Sequence, residues 1–230
     1  MSVTLTSPHL QQAYLQVYWH LRNQILQGEL VGGDRINPVV IGDQLGTSRM
    51  PVREALRQLD AEGLVTIRPN RGAIVTTLTA AEVCELFEIR AALEALAARC
   101  ALSHLTDENL FDLDLIRQRM DRARGQAKLW VERHNEFHDF IVNLSQRPRL
   151  NADIKRIRNA IQPHLLLYID VYKSTEIPGY EHTIVLDAIR SKNAQLLELC
   201  IRDHVMSAAN GVMAFLEQRQ KMRGVNPKDP

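Results

Sequence analysis

The 230-residue chain has almost no charge of one sign. Its 28 Lys and Arg stand against 27 Asp and Glu, for a formal net charge of +1. No global field draws it to nucleic acid, membrane or acidic substrates, so a charged partner has to be met by a local cluster. Cysteine is scarce as well. Cys84, Cys100 and Cys200 are far apart and odd in number, which argues against a disulfide framework or a cysteine-based zinc site and leaves buried core thiols. No apolar run approaches the ~18 residues that span a bilayer, so no membrane partner is expected. The leading MSVTLTSPHLQQ has neither the basic nor the apolar region of a signal peptide, which points to the cytoplasm. A Gly-rich phosphate loop, a GxSxG elbow and kinase motifs are missing too, and the expectation is that the protein is not an enzyme.

What is present falls into two parts, each long enough for its own core. From Thr79 to about residue 220 the pattern is almost wholly helical, as in an antiparallel bundle. It opens on TAAE, Thr79 to Glu82, a capping box, and its first helix is expected to run to about Ser103. Further helices are expected over 106–124, 128–145, 150–172, 180–192 and from 194 to about 220. Breaks fall at Gly125, Pro148 and the STEIPG segment. Residues 221–230, KMRGVNPKDP, read as a disordered tail. Residues 1–78 read as three helices and then two short strands. Tyr14, Val17, Leu21 and Ile25 give the first helix an apolar face, and Gly28 ends it. Asn37 and Pro38 form an N-cap with Pro at the first helical position, opening a second helix that ends at Gly46. Thr47 and Ser48 restart the chain after a tight turn, which makes a helix-turn-helix.

The third helix, in SRMPVREALRQLDAEGL, carries the most information. At about 100° per residue, Arg49, Arg53 and Arg57 fall within about 80° of one another, while Val52, Ala55, Leu56 and Leu59 share the opposite side. One face packs on a core; the other presents three guanidinium groups near a helix N-terminus, where backbone N–H groups also favour phosphate. Next, LVTIRPNRGAIVTT alternates like two strands over 64–68 and 73–77, joined by a Pro-Asn-Arg-Gly turn. Arg68 and Arg71 flank the tip, and Gly72 permits a close backbone approach. A helix-turn-helix followed by this hairpin is a winged helix. A stripe of charge is usually a solvated face, but here the arginines occupy the two places through which such folds meet DNA.

Farther along, HNEFH sets His134 and His138 four residues apart on one helical face. With eight His in the chain, chance alone supplies such a pair in roughly one sequence in four, so the pair by itself says little.

The stretches ILQGELVGGDRI, SRMPVREALRQLDAEGL and RPNRGAIV, in this order and spacing, closely resemble the GntR family of bacterial transcription regulators. Residues 79–220 are similar to the helical effector-sensing domain, the FCD domain, of its FadR-like branch. The marks are ELFEIRAALEALAA, Phe137–His138, Glu181–His182 and His204. The resemblance implies a mainly α fold, an N-terminal winged helix-turn-helix followed by an all-α bundle. It further implies a homodimer that binds two-fold-related operator DNA, as a repressor, under the control of a small organic acid. The family's DNA contacts fall on Ser48, Arg49, Arg53 and Gly72, and the arginine stripe and wing add Arg57 and Arg71. Val39 and Met50 depart from the residues some relatives carry, which leaves the operator sequence open. The family's metal ligands fall on His138, His182 and His204, with His134 where relatives have Asp or Asn.

Three readings of the histidines compete. In zinc proteases a Glu directly follows the first His, but that position is Asn135 here, and Glu136 lies about 200° from His134. Histidines satisfied in a core without metal are the second reading. The third is a sensor: one divalent transition metal per subunit, zinc or nickel first among them, drawing an anionic effector to its open positions. Binding is then expected to weaken as pH falls through roughly 6.5. The family pattern suggests that Arg90 grips the effector; an ion pair with a neighbouring Glu is the equal alternative. A metal-dependent small-molecule binding protein without specific DNA binding remains the other functional reading.

Overall fold

A computed structural model describes residues 8–68, 72–172 and 179–223. The chain divides into two compact units, Met1–Leu78 and Thr79–Pro230.

In the first unit α1 (Pro8–Leu26) buries Val17, Leu21 and Ile25, a run at i, i+4 and i+8 that forms a single stripe. A two-residue strand, β1 (Arg35–Ile36), follows. The side chain of Asn37 then accepts from Val39 N, 2.9 Å away, to start α2 (Pro38–Leu45). Gly46, in the left-handed region at φ 64°, ends it. α3 (Arg49–Ala61) packs Val52, Ala55, Leu56 and Leu59 toward α1. Its C-terminal end is fastened there: the Tyr18 hydroxyl donates to Glu62 Oε1 at 2.7 Å, and Arg22 pairs with the same carboxylate. β2 (Val65–Arg68) and β3 (Gly72–Val75) form the hairpin, and β1 joins the far side of β3, giving an antiparallel sheet in the order β1-β3-β2. β1 has no counterpart in the sequence reading, because two residues cannot show alternation; pairing with β3, Ile36 opposite Ala73, creates the strand.

The second unit is a helical bundle. Its first helix, α4 (Ala80–Ala101), has both halves of the capping box: Thr79 N donates to Glu82 Oε2 at 2.8 Å, and Glu82 N to Thr79 Oγ1 at 3.2 Å. A short 3-10 turn covers Leu102–His104, so the helix stops two residues before Ser103. α5 (Asp107–Arg122), α6 (Ala127–Leu144), α7 (Pro148–Tyr172), α8 (Gly179–Arg190) and α9 (Ala194–Arg223) follow. α4 is the central helix and packs on α6, α7 and α9; Ala91, Ala95 and Ala98 keep its flanks narrow. The break expected at Pro148 is present between α6 and α7, and Pro148 itself begins α7, since its missing N–H is no loss in the first turn. Gly211 of α9 lets α7 come close: a Cβ there would lie 2.5 Å from the Tyr168 hydroxyl. α9 continues to Arg223, three residues into the expected tail, and residues 224–230 lie outside the described residues. Among the described residues no helix is long and apolar enough to cross a membrane.

Candidate functional site

Two constellations stand out, one in each unit. In the first, a groove of about 560 Å³ is lined by Arg49, Arg53 and Arg57 of α3, Arg68 of β2, Gly72 of β3 and Asn37 before α2, among others. The three α3 arginines are exposed, while Val52, Ala55, Leu56 and Leu59 are buried in the core of the unit and Met50 stays at the surface. Ser48 caps α3 by position only; its side chain makes no capping hydrogen bond. Arg57 is paired with Glu54, one turn back on the same helix. Asp60 Oδ1 accepts from Ile67 N at 2.9 Å, tying the wing to the helix. Gly72 has a structural reason of its own. Its φ is +80°, and a Cβ there would sit 2.4 Å from the carbonyl oxygen of Ile36, so the three-stranded sheet itself requires glycine. Arg68, expected beside the wing tip, and Asn37, expected only as a helix cap, join the groove although neither was counted among the DNA contacts. Arg71 and the tip of the turn lie outside the described residues.

In the second unit α6, α8 and α9 bring His134, His138, His182 and His204 together. All four are buried, and one ring nitrogen from each lies within 4.8 Å of the others. His138 Nε2 and His204 Nε2 are 3.2 Å apart. Two imidazoles bound to one ion at ~2.1 Å would hold their nitrogens about 3–3.5 Å apart, so the spacing suits a shared ion. Among the described residues His134 Nδ1 and both ring nitrogens of His182 are buried without a hydrogen-bond partner. Buried lone pairs and N–H groups normally find partners, and an ion at the centre of the four rings supplies one. The donor set fits: four neutral nitrogen ligands on rigid helices can hold a metal ion.

Electrostatics agree with neutral rings. Burial, then the neighbouring imidazoles, pushes the proton affinity of His134 and His182 well below the usual histidine range. His204 is pushed down to about 3, by burial first and then by His138 and Arg90. For His138, burial also wins, although Glu94 pulls the other way. Glu94 Oε2 lies 2.8 Å from His138 Nδ1, and Glu94 Oε1 accepts from Arg90 Nε at 2.7 Å. Burial alone would raise the carboxyl of Glu94; the charge of Arg90 and the hydrogen bonds from Arg90 and His138 outweigh it and hold Glu94 ionised. Arg90 therefore makes the ion pair that the sequence left as an alternative, on the helix that faces the cluster. One buried charge escaped the sequence reading, the Arg158 of α7. Glu136 points elsewhere: it is about one third exposed and pairs with Arg133, so it offers no base at the cluster. Asn135 donates to Gln162 of α7.

The FCD domain model matches residues 85–207, and that of bacterial regulatory proteins, gntR family, matches residues 13–75. The chain belongs to the GntR family, with an FCD domain. It is a DNA-binding transcription regulator. The chain is similar to the Nta operon transcriptional regulator of Aminobacter aminovorans, 35% identical over 80% of this chain and 87% of that one. It is 25% identical to the HTH-type transcriptional repressor RspR of Escherichia coli strain K12, over 88% and 90% of the two chains. Among solved structures E. coli McbR/YncC has the same fold, with a TM-score of 0.74, 23% identity, and 90% and 98% of the two chains covered. The groove of α3 and the wing thus belongs to a GntR-type DNA-binding domain, and the histidine cluster to the regulator's FCD domain.

Proposed function

We propose that this regulator is a cytoplasmic repressor whose hold on operator DNA is set by a small carboxylate bound in a metal-containing FCD domain. The observation that carries the reading is the convergence of four buried imidazoles, within 4.8 Å, in a chain that also exposes three arginines on one helix face. The proposed ligands are His134, His138, His182 and His204, for one divalent ion per subunit. With nitrogen donors alone, zinc or nickel is favoured over calcium or manganese. Bound there, the ion supplies positive charge that four neutral rings leave uncompensated, and this attracts a carboxylate. Arg90 is the proposed effector contact on α4, sharing its charge with Glu94. On DNA, Arg49, Arg53 and Arg57 meet base edges and phosphates, with Ser48 at the helix N-terminus and Arg71 and Gly72 at the wing. A homodimer on a pseudo-palindromic site follows from the need for two half-sites. Repression is supported by the name of RspR.

The test is a gel shift with the full-length chain and the intergenic DNA flanking its gene, beside elemental analysis of protein purified without chelator or tag. Retardation that exceeds that of random duplex, with one metal per chain, is expected. No preference over random duplex overturns the operator reading, and protein free of metal overturns the cofactor. Sedimentation as a monomer with undiminished operator affinity removes the dimer.

A further inference from the structure

The histidines do not exhaust the polar groups buried in the bundle. Arg158, on α7, is 4% exposed. Its Nη2 pairs with Asp139 of α6, but its Nη1 is buried with no hydrogen-bond partner among the described residues. A guanidinium does not shed its charge to relieve such a position, so it calls for an acceptor.

Its place in the bundle shows where that acceptor can come from. Ala97 of α4, Val142 of α6 and Ile154 of α7 pack on one another as a cluster. One turn along each helix leads to Glu94, to His138 and to Arg158. Arg158 thus belongs to the layer that contains the hydrogen bond between Glu94 and His138. Its positive charge is also one of the influences that disfavour a proton on His138. The other buried guanidinium of the bundle, Arg90, already donates to Glu94. Among the described residues, Arg158 has its Nη1 to offer and only the partly exposed Asp139 to balance it.

We propose that Arg158 is an anion-binding residue of the effector pocket, whose Nη1–H donates to an oxygen of a carboxylate ligand. The proposal rests on the reading of the FCD domain as an effector pocket and adds an anchor on α7. A metal and Arg158 together select ligands with two separated oxygen groups. Small dicarboxylates and hydroxycarboxylates meet that need; neutral sugars and simple monoacids do not.

The experiment uses the full-length zinc-loaded chain, with malate as the probe and acetate as the monoacid comparator, both read by calorimetry. Zinc binding is titrated separately on every variant. Arg158→Met is expected to weaken malate binding about tenfold to a hundredfold, the scale of one lost charge-assisted hydrogen bond, and to leave zinc affinity unchanged. Arg158→Lys keeps the charge without the fork and is expected to fall between; it serves alone if the Met variant does not fold. Asp139→Asn, which frees more of the guanidinium's charge, is expected to bind malate at least as tightly as the parent. Malate binding unchanged in Arg158→Met and Arg158→Lys overturns the proposal, as does loss of zinc together with malate. A parent chain that binds zinc but no malate at tens of millimolar overturns it too, along with the carboxylate effector. A parent chain that takes up no zinc removes the metal reading only, and Arg158 is then judged by malate binding to the metal-free protein.

Discussion

Glu94 Oε2 and His138 Nδ1 are 2.8 Å apart with both side chains buried, and this contact determines which nitrogen of His138 is available. An ionised carboxylate can only accept, so Nδ1 carries the hydrogen and donates it, and the lone pair of Nε2 turns toward His204. Fixing a ligand's tautomer in this way raises its basicity and removes the need to reorient on binding. Glu94→Gln is therefore expected to lower zinc affinity about tenfold to a hundredfold. It also leaves Arg90 without a counter-charge, and a broken buried pair costs about 3–5 kcal/mol of stability. Competition with a chelator and thermal melts of the same samples read the two effects; zinc affinity equal to that of the parent would refute the first.

The pH dependence follows from the depressed histidines. Unfolded, each ring titrates near 6.5; folded, burial holds all four lower, His204 at about 3. Below about 6.5 the unfolded chain binds more protons than the folded one, so metal-free stability is full above that value and declines as pH falls. The same shifts revise the expectation that metal binding weakens through roughly 6.5. In the folded chain the rings remain neutral below that pH, so loss of zinc is expected to accompany acid unfolding. Zinc titrations at stepwise lower pH, beside circular dichroism, would show it; release of zinc from a fully folded chain near pH 6.5 would contradict this.

Gly72→Ala is expected to destabilise the N-terminal unit by about 1–3 kcal/mol, because it forces a side chain into the left-handed region. The added Cβ would also press on the Ile36 carbonyl at 2.4 Å and prise β3 from β1. Urea unfolding of the full chain should show an earlier transition, with DNA affinity reduced through displacement of the wing. An unchanged midpoint would mean that the sheet tolerates the residue.

Arg53→Ala is expected to remove specific operator binding at a cost of ~1–3 kcal/mol per subunit, with the fold intact, since the side chain is exposed. Arg57→Ala should cost less, because Arg57 gives up a bond to Glu54 when it turns to DNA. Titrations at fixed moderate salt compare the two; equal losses would count against a resting role for Glu54.

Much of this architecture is legible in the sequence because it is local. The capping box of Thr79 and Glu82, the Asn37–Pro38 cap and the arginine face of α3 each lie within a few turns of chain, where periodicity and capping rules operate. Arg90 and Glu94, one turn apart, could likewise be read as a pair. The contact of Glu94 with His138, 44 residues on, could not, since only packing of α4 on α6 creates it. Arg158 was hidden by its company: Lys155, Arg156 and Arg158 look alike in the sequence, and Asp139 on another helix decides which is buried. β1 was invisible for lack of length. The depressed proton affinities were missed for a different reason, since a reference value describes a solvated ring.

The pairing of Arg57 with Glu54 bears on how such a protein searches a chromosome. Wrong sites outnumber the operator enormously, and time lost on them is set by phosphate contacts that ignore sequence. A guanidinium already matched to a carboxylate has little to gain from a random phosphate, and a chain of net charge +1 adds no general stickiness. Briefer visits to the wrong duplex, rather than tight holding everywhere, are the expected consequence of that pair.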